Sequence, residues 1–278
     1  MKTLRLAMAA LGLLLPGFLP AQQGAIRIKQ GETLEYNVRA EFEVTEVVGD
    51  REAVLRAVTG GVAELHARRV TRQKIEWSYE TPEVKLVRVT STMEPGASTE
   101  TMVQAKAGRL ATDGRGRVVA GLRAGRDDAS LTAMMEAMHR SLVRLWFQPT
   151  LLRGKRPGDT WSEKRDERLR IAEMGIDVRA RYTVVYRFDG IIDTLGGKAV
   201  RISWSAEEMA IDGTRTIDGV VAPVLGDGDH QGSSYYSTID GLLLASSSEN
   251  VVDIRVSPGD GGGVIPMTWR LRSESTRR

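Results

Sequence analysis

The sequence predicts a mainly β protein: a curved antiparallel sheet or half-barrel, made of two repeated β halves, with one amphipathic helix packed on the concave face. Three observations predict this fold. Two long segments alternate apolar and polar residues, similar turn motifs recur at one fixed separation, and a single stretch between them has helical periodicity. Alternation with a period of two is typical of antiparallel strands that have one buried and one solvated face.

The chain begins with a segment typical of a secretory signal peptide. Lys2 and Arg5 precede an apolar stretch from Leu6 to Leu19, and the sequence becomes polar after Ala21. This stretch is shorter than the roughly 20 apolar residues of a membrane-spanning helix. We therefore expect residues 1–21 to be cleaved, a mature protein that is periplasmic or extracellular, and no transmembrane segment in the mature chain.

The mature chain is nearly neutral and has no cysteine. Two of the 39 Lys and Arg residues, and none of the 36 Asp and Glu residues, lie in residues 1–21, so cleavage lowers the formal charge from +3 to +1. This balance argues against nucleic acid as a partner. Because no disulfide can form, the stability of the exported protein must come from its hydrophobic core.

The first β half, residues 22–126, opens on a long amphipathic strand. Its apolar positions are Leu34, Tyr36, Val38, Ala40, Phe42 and Val44, and nearly every position between them is polar. Further strands are predicted at residues 51–59, 62–79, 84–93 and 100–111, because none of these segments has a helical period.

A linking amphipathic helix is predicted within residues 127–149. Its apolar residues form one stripe between about residues 129 and 147, at Leu131, Met134, Met135, Met138, Leu142, Leu145 and Trp146. Asp127 and Asp128 provide capping oxygens at its start, and Pro149 ends it. The methionines either pack as ordinary core residues or line a site for a lipid-like ligand, since thioether side chains adapt their packing easily.

The second β half, residues 150–278, contains the longest alternating run. From Ile176 to Phe188 the run would extend about 43 Å at about 3.3 Å per residue, so a strongly curved sheet is expected. Further strands are predicted at residues 198–211, 232–239, 242–256 and 264–273. Tight reversals are predicted at Asp189-Gly190, Gly196-Gly197 and Asp212-Gly213.

Two pairs of motifs indicate an internal repeat. Gly31-Glu32-Thr33-Leu34 and Gly158-Asp159-Thr160-Trp161 lie 127 positions apart, and Thr112-Asp113-Gly114 and Ile239-Asp240-Gly241 have the same separation. A shared offset is expected if the halves arose by duplication. The halves form either two domains or one continuous domain of residues 22–278.

No catalytic or metal-binding motif stands out. The three histidines are far apart in sequence, and the glycine- and aspartate-rich residues 226–232 are predicted to form a solvated hairpin tip rather than a calcium loop. The serines at 246–248 lack the Gly-x-Ser-x-Gly elbow of hydrolases. We therefore predict a protein that is not an enzyme and that has no cofactor and no metal.

The motifs also carry a resemblance. Gly31-Glu32-Thr33-Leu34-Glu35-Tyr36, the helix ending in Trp146-Phe147-Gln148-Pro149, Arg156-Pro157-Gly158-Asp159-Thr160-Trp161 and Ser237-Thr238-Ile239-Asp240-Gly241-Leu242-Leu243 follow a signal peptide in that order. This arrangement resembles a group of uncharacterised secreted bacterial β-proteins. In architecture alone it is similar to the periplasmic lipoprotein carriers, whose half-barrel holds acyl chains, which implies a cavity between sheet and helix.

The expected function is binding without catalysis. The first hypothesis is a secreted or periplasmic protein that holds a lipid or other hydrophobic small molecule between the sheet and the helix. Its candidate ligand-binding residues are Met134, Met135, Met138, Leu142, Tyr182 and Tyr186. The second is an envelope scaffold or protein-interaction module with a solid core and an envelope protein as partner, and the third is a hydrolase with a dispersed site.

Overall fold

The computed structural model describes residues 26–48, 51–80, 84–89, 98–103, 107–120, 152, 154–171, 175–194, 197–217, 219–257 and 263–278. The signal segment 1–21 and the predicted helix, with Met134, Met135, Met138 and Leu142, lie outside the described residues. All regular structure in the described part of the chain is β-strand, apart from turns and one residue of 3₁₀ conformation at Leu152.

Thirteen strands follow one another along the chain. They are β1 (Thr33–Val48), β2 (Arg51–Val70), β3 (Lys74–Glu80), β4 (Val84–Val89), β5 (Ser98–Val103), β6 (Ala107–Asp113), β7 (Val118–Ala120), β8 (Thr160–Ile171), β9 (Ile176–Thr194), β10 (Gly197–Ile217), β11 (Val220–Ser237), β12 (Leu243–Val256) and β13 (Ile265–Arg277).

All thirteen strands belong to one antiparallel sheet, which confirms the mainly β, curved-sheet prediction. Its order is β7-β6-β3-β2-β1-β13-β12-β11-β10-β9-β8, and β4 and β5 extend from β2 beside β3. The strands of both predicted halves therefore share one sheet, joined where β1 pairs with β13. Within the described residues the sheet is open, because β7 and β8 lie at opposite ends and each pairs with a single neighbour.

The two alternating runs form long strands with one buried face. β1 has 16 residues and β9 has 19. The even-numbered residues of β1 from Leu34 to Val44 are all buried, whereas its odd-numbered residues are partly or fully exposed. At about 3.3 Å per residue, β9 is about 60 Å long, well beyond the usual strand of 5–6 residues.

The sheet curves toward its buried face. On this face, Leu65, Trp77 and Leu110 of β2, β3 and β6 belong to one apolar cluster with Phe188, Ile202 and Leu243 of β9, β10 and β12. These strands are far apart in the order of the sheet, so their side chains meet only if the sheet curls. At the other end of the strands, Arg215 of β10 forms a two-pronged ion pair with Glu46 of β1, with Nη1 to Oε1 at 2.6 Å and Nη2 to Oε2 at 3.1 Å. The buried face is therefore the concave face.

Three predicted turns were wrong. Asp189-Gly190 lies inside β9, Asp212-Gly213 lies inside β10, and residues 226–232, predicted as a hairpin tip, lie in the middle of β11. At Gly213, a Cβ atom would lie 2.2 Å from the carbonyl oxygen of Asp177 in the neighbouring strand. Glycine is present there because two strands approach closely, and not because the chain reverses. Likewise, β2 continues through Gly60 and Gly61, where two strands had been predicted.

The repeated motifs occupy equivalent places in the sheet. The amide of Gly31 donates to the carbonyl of Ala67, and the Ala67 amide donates to Glu32. The amide of Gly158 donates in the same way to Phe188, and the Phe188 amide donates to Asp159. Both glycines have positive φ, +87° and +93°, and each leads into a strand two residues later, β1 or β8.

Candidate functional site

A shallow trench crosses the concave face of the sheet at mid-strand. On β9, β11, β12 and β13, the inward-facing residues near the middle of each strand are partly exposed, whereas the inward residues on either side of them are buried. We call this feature the concave trench and define it by Ala180, Tyr182, Ala206, Gly226, Gly228, His230, Gly232, Ser248, Asn250, Leu271 and Ser273. Most of these side chains are small or absent, which lowers the floor of the trench relative to its sides.

Buried apolar clusters form the two sides of the trench. The first cluster lies toward the Leu34 end of β1 and is capped by Ile26 and Leu152, both buried. The second cluster contains residues from six strands beside the Glu46–Arg215 ion pair: Phe42, Val44, Val178, Ile211, Val224, Ile254 and Trp269. Tyr182 packs against both clusters. It therefore spans the trench at the β9 side.

The segment before β1 covers the first cluster at the Leu34 end of the strands. The amide of Ile26 donates to the carbonyl of Gly114 in the turn between β6 and β7, and the amide of Arg27 donates to Asp240 in the turn between β11 and β12. These two hydrogen bonds join turns from both halves of the sheet.

Five serines lie together on the concave face, and we call them the serine belt: Ser234, Ser246, Ser248, Ser273 and Ser275. Strand register brings them together, because Ser246 faces both Ser275 and Ser234, and Ser248 faces Ser273. The hydroxyls of Ser248 and Ser273 are hydrogen bonded at 2.8 Å.

Ser275 and Asn250, at the belt, each have a buried polar atom without a hydrogen-bond partner in the described part of the chain. Ser275 is 1% exposed and its Oγ has none. Asn250, one inward position beyond Ser248 on β12, has a buried Oδ1 that accepts no hydrogen bond. A buried polar atom left unpaired costs about 1–3 kcal/mol, so each of these atoms is a place where a ligand group or a water would be favourable.

Charged residues face inward on the edge strand β8. Arg165 lies between Glu163 and Glu167 on the concave side, and its Nη2 is 2.9 Å from Glu163 Oε2 and 3.4 Å from the hydroxyl of Tyr186. Burial raises the pKa of Tyr182 well above its usual range, and the neighbouring Glu167 carboxylate, which hydrogen bonds to this tyrosine, raises it further. Tyr182 is therefore a neutral hydroxyl at physiological pH.

His230 is a half-buried imidazole on the floor of the trench. Burial lowers its pKa below the usual value, an effect that Glu167 opposes and Arg165 reinforces. Since the ordinary value is about 6.5, this histidine is mainly neutral at pH 7. It faces Asn250 in the adjacent strand, so the two side chains form a polar pair of neighbours.

Arg165, Arg215 and Arg277 face the concave side of the sheet, and each has a carboxylate partner. Arg165 pairs with Glu163, and Arg215 pairs with Glu46. Arg277 Nη1 lies 2.8 Å from Asp240 Oδ2, beside the fully buried Tyr36. Lys155, in the loop before β8, lies over the Trp161 ring at 5.3 Å from its centroid.

The convex face is polar, and its grooves are shallow. The larger groove, about 450 Å³, has Ser203, Ser233 and Ser247 along its floor, with Arg201 and Arg272 at its sides. Both arginines already pair with carboxylates, Asp189 and Glu249 respectively. A second groove of about 390 Å³ lies on the convex face around His66 and Arg109.

The structure places the two described ligand candidates on the concave face. Tyr186 is buried and stacks on Trp161, with ring centroids 5.5 Å apart, while Tyr182 is partly exposed in the trench. Sequence reasoning missed the serine belt, Asn250 and His230. The alternation of β11 and β12 was the available signal, because it assigns alternate serines of Ser246-Ser247-Ser248 to one face.

Within the described residues, no group of three or more His, Asp or Glu side chains could hold a metal ion, and no helix is long and apolar enough to cross a membrane.

No protein-family model matches the sequence, and no curated protein matches it. Among solved structures, Salmonella typhi OmpF in complex with daunomycin is similar to this chain. The alignment covers 88% of this chain and 98% of the OmpF chain, with 8% sequence identity and a TM-score of 0.25.

Proposed function

We propose that this chain is an exported, non-catalytic binding protein that holds a hydrophobic ligand in the concave trench, between the sheet and residues 129–147. One observation carries the proposal. The middle of the concave face is partly exposed and lies between two buried apolar clusters, although an antiparallel sheet of this length would gain stability from a continuous apolar core.

The residues of the trench floor favour a bound molecule over a sealed core. Ala180, Ala206 and Gly228 stand at inward positions where Val, Ile or Leu would fill the space between the clusters. The apolar side chains on both sides of the trench lack van der Waals contacts across it, and an apolar chain lying in the trench would provide them. The trench crosses four strand spacings from β9 to β13, about 19 Å at about 4.8 Å each.

Two other functions were expected from the sequence, an interaction module with a solid core and a hydrolase. An interaction module would use an exposed strand edge, and β8 has that position in the described sheet. However, β8 carries charged residues on both faces, with Glu163, Arg165 and Glu167 inward, and inward-pointing charge discourages pairing with another strand. The edge therefore supports binding on the concave face better than strand addition.

The first test is native mass spectrometry of residues 22–278, purified from the periplasm without detergent, together with solvent extraction. We expect a co-purifying lipid mass. The affinity for a homologous series of alkyl ligands, measured by displacement of an apolar fluorescent probe, should rise about fourfold for each added methylene, because burial of each is worth about 0.8 kcal/mol.

A matched pair of variants locates the ligand. Ala180→Phe places an aromatic ring in the trench, and Thr183→Phe places the same ring on the opposite face of the same strand. We expect Ala180→Phe to weaken alkyl binding by at least about tenfold, while Thr183→Phe binds as the parent does. If the parent protein carries no lipid and binds no alkyl probe, the proposal is wrong and the solid-core module replaces it.

A further inference from the structure

We infer that the ligand's polar part is uncharged, carries hydroxyl or amide groups that donate hydrogen bonds, and lies along the serine belt and Asn250. The inference rests on the proposed function and names the class of ligand that the trench would take: a neutral amphiphile such as an acylglycerol, rather than a fatty acid or an anionic phospholipid.

The unpaired polar atoms of Asn250 and Ser275 show which hydrogen bonds are missing at the belt. The Asn250 Oδ1 atom is an acceptor, so its partner must carry an O–H or N–H group. The Ser275 hydroxyl is 1% exposed and can donate or accept. A carboxylate or a fully ionised phosphate offers only acceptors, and it would leave the Asn250 oxygen without a partner.

The charges of the concave face lead to the same class. Arg165, Arg215 and Arg277 each have a carboxylate partner on that face, so the charge of each of the three is already balanced by a counter-ion. Glu167 adds a further negative charge near His230, whose pKa is lowered by burial. Burying an anion beside this set would cost free energy, because each of these three cations already has a counter-ion.

The spacing of these polar side chains along the strands indicates the length of the ligand's polar part. Ser275, the Ser248–Ser273 pair and Asn250 occupy three successive inward positions along β12 and β13. Two steps of two residues each span about 13 Å at about 3.3 Å per residue. A polar part with several oxygens, such as a glycerol ester, can reach more than one of these rows, while its chain lies across the trench.

The test compares probes that each have a twelve-carbon chain and differ in the polar group: monolauroylglycerol and dodecyl phosphate, each below its micelle concentration. We expect monolauroylglycerol to bind at least about tenfold more tightly to the parent protein. In Asn250→Leu and in Ser275→Ala, this preference should fall about two- to tenfold, the effect of one hydrogen bond. Ser233→Ala, on the convex face, is the control and should retain the preference.

Each outcome separates the inference from the proposed function. Equal or tighter binding of dodecyl phosphate to the parent would overturn the inference and leave the trench as a site for chains of another class. An unchanged preference in both belt variants would also overturn it, because the belt would then hold only water. If neither probe binds, the proposed function itself fails. The ratio of the two affinities is read from folded protein, so a loss of stability in one variant does not imitate the effect.

Discussion

Breaking the ion pair between Glu46 and Arg215 should destabilise the fold more than breaking any single exposed pair. The two residues are 169 positions apart in sequence and lie on β1 and β10, which are not neighbours in the sheet. Their side chains are only 17% and 12% exposed. The pair therefore holds together two strand ends of the curved sheet, in a place where water cannot fully solvate either charge.

The expected magnitude follows from this burial. Removing one partner of a buried ion pair costs about 3–5 kcal/mol, because the other charge is left uncompensated. The residual exposure of both side chains favours the lower end, so we expect Glu46→Gln to lower the free energy of unfolding by about 3 kcal/mol. For a domain of this size, such a change lowers the melting temperature by about 6–12 °C.

Equilibrium unfolding in urea measures the change, provided that the m value stays constant. The control is Glu249→Gln, which breaks a pair with Arg272 whose side chains are 37% and 59% exposed and which should cost at most about 1 kcal/mol. The double variant Glu46→Leu/Arg215→Met should recover most of the loss, because no buried charge remains. If Glu46→Gln lowers the free energy of unfolding by no more than the control does, water solvates both strand ends and the ion pair does not hold them together.

Two further predictions concern the floor of the trench. Gly232→Val should destabilise the protein by about 1–3 kcal/mol, because the added Cβ would lie 2.4 Å from Trp204 Cζ2 and 2.6 Å from the carbonyl oxygen of Ser247 in the neighbouring strand. Thermal unfolding measures the change. An unchanged melting temperature would show that Trp204 can move and that the two strands can separate there. Burial lowers the pKa of His230 in the folded protein, so the unfolded chain takes up more protons, and the free energy of unfolding should fall as the pH drops below about 6.5. His230→Gln should flatten this pH dependence. Parallel curves of stability against pH for the parent and the variant between pH 5 and 7 would contradict the prediction.

The alternating runs were sufficient to predict the long strands, because each has one face against the core. From Leu34 to Val44 and from Ile176 to Phe188, the positions predicted to be buried lie on the concave face. The Asp-Gly pairs were not sufficient to predict turns. Glycine serves both tight reversals and close approaches between strands, and Gly213 serves the second. A local motif carries no information on which neighbour the backbone will meet.

The candidate site was only partly accessible to sequence reasoning. The inward position of Tyr182 follows from alternation along one strand. The serine belt, in contrast, depends on the register of β11, β12 and β13, which places Ser234, Ser246 and Ser275 in one transverse row. Register is set by pairings between distant segments, so the serines of each strand look like ordinary surface residues until the sheet is assembled.

The composition of the serine belt conflicts with what stability alone would select. Ser275 is buried as deeply as the core residues around it, yet its hydroxyl has no partner among the described residues. Replacing an unpaired buried hydroxyl by an apolar group of similar size removes a desolvation cost and should be neutral or stabilising. Natural sequences depart from such local rules chiefly at functional sites. We propose that a ligand completes the hydrogen bonds of these polar side chains. A stabilised Ser275→Ala variant with a reduced preference for the neutral probe would show the effect on stability and the effect on binding separately.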